Sequence, residues 1–228
     1  MSKVTTREIS FSPRAQETII LVGIHFAPEN ILQNRVCVLV HPWGFLGGSL
    51  SNTYHYAERL SRKHGIECVV FNTRGVGKST GTATFGCSAE IDDALGACDW
   101  VRANLQRRMV IVGSSAGAAI AGSALDRVNE VDGYVGIGYT FGTLSSFVLG
   151  RHYNAIIASP KPKLFVMGSK DGFTSVAQLD SMTKKMEKVQ YKIVPDAGHF
   201  TLESGEYSDI MSDFIADFMK SLTNMENE

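Results

Sequence analysis

The chain has 228 residues, 44% of them hydrophobic and 20% charged, with a formal net charge of −1. That length suits one domain, expected to span residues 1–228, with ample apolar material for a single core. The balanced charge excludes nucleic acid and anionic membrane as electrostatic partners, and no apolar run is long enough to span a bilayer. Met1 to Gln16 is polar and lacks the apolar stretch of a secretory signal, so the expected location is the cytoplasm. None of the four cysteines forms a Cys-x-x-Cys or has ligand spacing with a histidine. Reduced thiols are therefore expected, and no metal or other cofactor.

In chain order, β-branched apolar runs alternate with amphipathic ones, which predicts a parallel sheet with helices on both faces. Predicted strands cover Thr18–Ala27, Val36–His41, Glu67–Asn72, Met109–Gly113, Val131–Tyr139, Leu164–Gly168 and Tyr191–Val194. A short strand near Glu8–Phe11 is expected to pair antiparallel with the first, turning at Pro13-Arg14. Between the strands, Asn52–Lys63 carries Tyr54, Ala57 and Leu60 on one face and stops at Gly65, a C-cap residue. Ser88 is the expected cap of a helix reaching Asn104, with Ile91, Leu95, Cys98, Val101 and Leu105 at helical spacing. The small residues Ala118 to Leu125 form a further predicted helix. Ser175–Lys188 is expected to bury Val176, Leu179, Met182 and Met186, with Lys184, Lys185 and Lys188 at the negative end of its dipole. The last helix, Tyr207–Leu222, shows a stripe of Tyr207, Ile210, Phe214, Ile215, Phe218 and Leu222.

Chemistry enters at Gly113-Ser114-Ser115-Ala116-Gly117, a Gly-x-Ser-x-Gly between a strand and a helix. Such an elbow holds the serine Oγ clear on a strained turn, with glycines where backbones pass closely. Ser114 is expected to point elsewhere and bond the backbone. A serine hydroxyl needs a base, and the base an orienting acid. His199, in Asp196-Ala197-Gly198-His199-Phe200, follows the last strand. Asp171, in Gly168-Ser169-Lys170-Asp171-Gly172, follows the strand before it. Both fall on loops at the carboxyl ends of parallel strands, the edge where open α/β sheets bind ligands. Asp171 is preferred to Asp196, which lies too close to His199 on the same loop to reach its Nδ1. After the strand ending at Val40 comes His41-Pro42-Trp43-Gly44, a turn that can aim a backbone N–H at an oxyanion. The expected donors are Trp43 and Ala116, since Pro42 has none. His41 reads as a buried structural hydrogen-bonder.

Gly77-Lys78-Ser79-Thr80 hints at a phosphate loop, but Asn72 stands where that motif needs its first glycine. Trp43, Phe45, Phe85, Tyr139, Phe141, Phe173 and Phe200 fall at the expected active edge, where Phe45, Phe141 and Phe173 are candidate substrate-binding residues. Arg151 and His152 are read as solvated loop residues.

On these motifs, with Arg74-Gly75-Val76-Gly77-Lys78-Ser79 after the fourth strand and the late Gly-His-Phe, the chain resembles the α/β-hydrolase family from about Val36 to Phe218. It is most similar to compact, lidless serine hydrolases. The resemblance implies a mostly parallel sheet of about eight strands with a minimal cap between Tyr139 and Lys163. It also implies Ser115 as nucleophile, His199 as base, Asp171 as orienter, Trp43 and Ala116 as oxyanion donors, and no cofactor. Pro42 departs from the glycine of many members. The expected activity is hydrolysis of a small apolar carboxylic ester through a Ser115 acyl-enzyme. Thioester or amide hydrolysis, acyl transfer, and a non-catalytic binding role on the same fold remain alternatives.

Overall fold

The computed structural model describes residues 2–141 and 153–225. Eight strands form one sheet: β1 (Val4–Phe11), β2 (Leu21–Pro28), β3 (Arg35–Val40), β4 (Cys68–Phe71), β5 (Arg108–Ser114), β6 (Val131–Ile137), β7 (Lys163–Gly168) and β8 (Val189–Val194). Their spatial order is β1-β2-β4-β3-β5-β6-β7-β8. β1 pairs antiparallel with β2, and β2 antiparallel with β4, while β4, β3, β5, β6, β7 and β8 run parallel.

Side-chain alternation builds a core on each face. Val36, Val38 and Val40 of β3, with Met109 and Ile111 of β5, enter one cluster. Cys37 and Leu39, with Val110 and Val112, enter the other. A strand buried on both faces in this way reads as a near-continuous apolar run, as Val36 to Val40 of β3 do, all of them buried. The first face is covered by α2 (Ser88–Leu105), α3 (Ala116–Ala124), α4 (Tyr153–Ala158) and α5 (Val176–Thr183). The second is covered by α1 (Ser51–His64) and α6 (Ser208–Met225). Each buried Leu, Ile or Val in these clusters stabilises the fold by roughly 1.5–3 kcal/mol relative to exposure. None of the described helices is long and apolar enough to cross a membrane.

The chain leaves β3 toward β4 on one side and leaves β5 toward β6 on the other. β3 and β5 are neighbours, so the connections diverge at their carboxyl ends and open a crevice there.

The predicted strands all form, with ends moved by a few residues, and the antiparallel first pair extends to Val4. Three helical expectations are corrected. Ser88 does not cap α2 but is its first residue, after a buried Cys87 with φ 55°. The carboxylate of Glu90, in the first turn, ties the helix to the preceding loop, accepting from the backbone N–H and hydroxyl of Thr84 at 2.5 Å each. α5 stops at Thr183 rather than Lys188. A Ser175–Gln178 capping box fixes its start, and Lys188 turns the chain into β8 at φ 47°. The three lysines therefore lie beyond the last turn, and Val176 is exposed while Leu179 is buried. In α6 the buried stripe is Met211, Ile215, Phe218, Met219 and Leu222. Ile215, Phe218 and Leu222 are as expected, and Tyr207 and Phe214 pack against the cluster, but Ile210 is 36% exposed while Met211 and Met219 turn inward. Of the segment expected to hold a minimal cap, residues 142–152, with Arg151 and His152, lie outside the described residues.

Candidate active site

The elbow forms where β5 meets α3. Ser115 has φ 55° and ψ −120°, a conformation side-chain-bearing residues rarely adopt, which costs on the order of 1–3 kcal/mol. What holds it there is close packing. The Ser115 N–H donates to the Ile137 carbonyl at 2.8 Å, and Ala118 N–H donates to the Ser115 carbonyl at 3.0 Å. A Cβ added to Gly117 would lie 2.2 Å from the His41 carbonyl oxygen and 2.5 Å from that of Val40, so only glycine lets α3 approach the end of β3.

Ser115 Oγ lies 2.8 Å from His199 Nε2, and His199 Nδ1 lies 2.7 Å from Asp171 Oδ2. The carboxylate can only accept, so Nδ1 carries the proton, leaving Nε2 to accept from the serine hydroxyl. The other Asp171 oxygen accepts from the Phe173 and Thr174 N–H groups at 2.8 and 3.0 Å. Burial alone would raise the Asp171 pKa. The hydrogen bond and charge of His199, with those two amides, hold it below the ordinary carboxylate value. Asp196 is elsewhere: its carboxylate is 81% exposed and pairs with Lys170 at 2.7 Å.

Two further residues escaped the sequence reading. The Thr174 hydroxyl donates to the Tyr139 carbonyl and accepts from the Phe141 N–H, both at 2.8 Å, tying the Asp171 loop to the end of β6. Glu203, four residues after His199, accepts from Ser114 Oγ at 3.0 Å and from Asn52 Nδ2 at 3.4 Å. Ser114 thus bonds a half-buried carboxylate, not the backbone as expected. Burial raises the Glu203 pKa, opposed by Ser114, the imidazole of His199 and Asn52. Both contacts join residues far apart in sequence, and no local motif announces them.

His41 is buried and spans two elements. Its Nδ1–H donates to the Pro42 carbonyl at 2.5 Å, and its Nε2 accepts from the Thr73 N–H at 3.0 Å. Burial lowers its pKa to about 4, against the opposing Pro42 bond, so it is a neutral strut under the turn that carries Trp43. Trp43 itself stacks on Phe45 at 5.6 Å and meets Phe85 edge-on at 5.3 Å. Its indole N–H donates to the Thr84 carbonyl at 3.4 Å. Ala116 is buried as the first residue of α3. Phe173 and Phe200 flank His199. Phe141 instead packs inward, stacked on Tyr139 at 4.2 Å and against Phe165.

The thiols take no part. All four are free and buried, and burial pushes Cys87 and Cys98 up to about 12. Among the described residues no three His, Cys, Asp or Glu side chains are grouped as a metal site would require.

A family model described as an alpha/beta hydrolase domain matches residues 87–224, more than half of the chain. No curated protein sequence matches significantly. Several solved structures are similar in fold. One is an Agrobacterium tumefaciens protein of unknown function, a candidate α/β hydrolase, with 23% identity, coverage of 96% and 98% of the two chains, and a TM-score of 0.77. A Xanthomonas campestris α/β serine hydrolase without a lid shares 21% identity over 92% of each chain, at a TM-score of 0.75. A Pyrococcus furiosus esterase shares 18% identity, with 95% and 91% coverage and a TM-score of 0.78.

Proposed function

The chain belongs to the α/β-hydrolase family, and from that premise we propose that it is a serine carboxylesterase acting through a Ser115 acyl-enzyme. One observation carries the reading: Ser115 Oγ, His199 and Asp171 form an unbroken hydrogen-bonded relay of 2.8 and 2.7 Å, starting from a strained elbow.

In the proposed mechanism Ser115 Oγ attacks the ester carbonyl as its proton passes to His199 Nε2. Asp171 fixes the tautomer and stabilises the imidazolium that results. The oxyanion is received by the Ala116 N–H at the start of α3 and by the Trp43 N–H. Each such donor is typically worth about 10²–10³ in kcat. The intermediate collapses with proton transfer from His199 to the leaving alcohol, and water then repeats the sequence to release the acid. Phe45 and Phe173, both exposed beside these loops, form part of the apolar wall of the substrate site.

The short connection between Tyr139 and the start of β7 supports a preference for short acyl groups, because a long chain would keep most of its methylenes in water. A buried methylene contributes about 0.8 kcal/mol, so a deep acyl pocket would raise kcat/KM several-fold per carbon. Turnover of p-nitrophenyl esters from acetate to decanoate tests this, with Ser115→Ala as control. The expected result is highest kcat/KM at the shortest acyl groups and loss of turnover in the variant. An optimum at long chains, or a jump in rate at a lipid interface, would contradict it.

A further inference from the structure

The reaction proposed above sets a geometric condition on the alcohol half of the ester, and the surroundings of His199 give that condition chemical content. Forming the Oγ–carbonyl bond sends the serine proton to Nε2. When the bond from the carbonyl carbon to the leaving oxygen breaks, its electron pair stays on that oxygen, which takes the same proton back from Nε2. Asp171 occupies Nδ1, so Nε2 is the sole donor. The leaving oxygen must therefore come within about 2.6–3.2 Å of it. The rest of the leaving alcohol then lies against whatever borders the imidazole.

Among the described residues, Gly138, Phe173 and Phe200 border it besides Ser115 and Asp171. Gly138 backs the ring so closely that an added Cβ would sit 3.2 Å from Cε1. Phe173 has its centroid 4.5 Å from that of the imidazole, and Phe200 lies 5.2 Å away, nearly perpendicular. The two phenylalanines meet each other edge-to-face at 5.8 Å. Both are fixed by the relay itself. Phe200 follows His199 in the chain, and the Phe173 N–H donates to Asp171. Phe173 and Phe200 are nonetheless 44% and 71% exposed, so a face of this aromatic pair is open to a ligand. The other exposed aromatics of this edge, Phe45 and Phe85, pack around Trp43 on the oxyanion turn as a separate group.

We propose that Phe173 and Phe200 form the leaving-group subsite and that the substrates are esters of aromatic alcohols. This rests on the serine-esterase reading. An aryl group bound through the oxygen at Nε2 meets two phenylalanine rings already set at right angles, and so completes an edge-to-face and offset-stacked cluster.

The test compares phenyl acetate with hexafluoroisopropyl acetate, which share an acyl group and have leaving alcohols of similar acidity, so intrinsic expulsion is matched and only ring recognition differs. The expected result is a kcat/KM ratio favouring phenyl acetate by about tenfold, falling several-fold in Phe200→Leu and further in Phe173→Leu. Phe200→Leu alters an exposed ring, so its folding is secure. A ratio within twofold of unity in the wild type would overturn the proposal. So would an equal loss on both esters in the variants, which is what altered imidazolium stability or mere structural damage would give. Fluorophosphonate labelling of the wild type separates the two levels: a labelled enzyme with an unselective ratio sinks the subsite alone, whereas an unlabelled one sinks the esterase reading and the subsite with it.

Discussion

Asp171 Oδ2 and His199 Nδ1 lie 2.7 Å apart although 28 residues separate them in the chain, and both side chains are almost fully buried. That contact makes Asp171 the group that orients the imidazole. Asp171→Asn should lower kcat by about 10⁴-fold with little change in KM, since the amide presents the wrong tautomeric partner. Asp196→Asn should leave kcat close to wild type, because the Asp196 carboxylate is in solvent on Lys170. Steady-state kinetics on an acetate ester check both, and a collapse in Asp196→Asn would reverse the assignment.

Glu203 supplies a second negative charge near the imidazole and bonds the residue before the nucleophile. A negative charge beside a general base favours the proton-bound form that cannot act. Removing the Glu203 charge should shift the acid limb of kcat/KM to lower pH. The pH profile of Glu203→Gln, compared with Ser114→Ala, reads this out. Ser114→Ala keeps the charge and should hold the limb near its wild-type position while retaining most of the activity. An unmoved limb in Glu203→Gln would mean that the carboxylate acts only as a structural anchor.

The buried, neutral His41 links stability to pH. Its pKa in the folded protein is lowered to about 4, whereas the unfolded chain binds the proton near 6.5, so between those values the unfolded state holds more protons. The stabilisation is therefore present above pH 6.5 and lost as pH falls toward about 4. Between pH 7 and pH 5 that linkage amounts to about 2 kcal/mol. Denaturant unfolding at the two pH values should show the loss in the wild type and a flatter dependence in His41→Gln. Equal slopes would mean that His41 does not carry the linkage.

Much of the architecture is legible in the residues because the sheet is buried on both faces. Runs such as Val36 to Val40 and Met109 to Val112 have no other stable setting. The elbow and its two partner loops are legible for a related reason: each follows a strand directly, so strand order alone brings Ser115, Asp171 and His199 to one edge. Glu203 and the true partner of Ser114 are not legible, since that contact depends on how a 3₁₀ turn after His199 folds back over β5, nor is Thr174, whose partners lie on the separate segment after β6. The end of α5 at Thr183 is not legible because lysines beyond a helix end look the same in sequence as lysines in its last turn. The inward turn of Met211 and Met219 in place of Ile210 in α6 reflects packing against α1, which decides which of several apolar residues is buried.

The central claim is that Ser115 is the nucleophile, and covalent capture tests it most directly. The native protein, treated with a fluorophosphonate and digested, should yield one phosphonylated peptide with the adduct on Ser115. Ser115→Ala should yield none, and Ser114→Ala should still be labelled. A wild-type protein that resists the probe, or an adduct that persists on another residue in Ser115→Ala, would contradict the account.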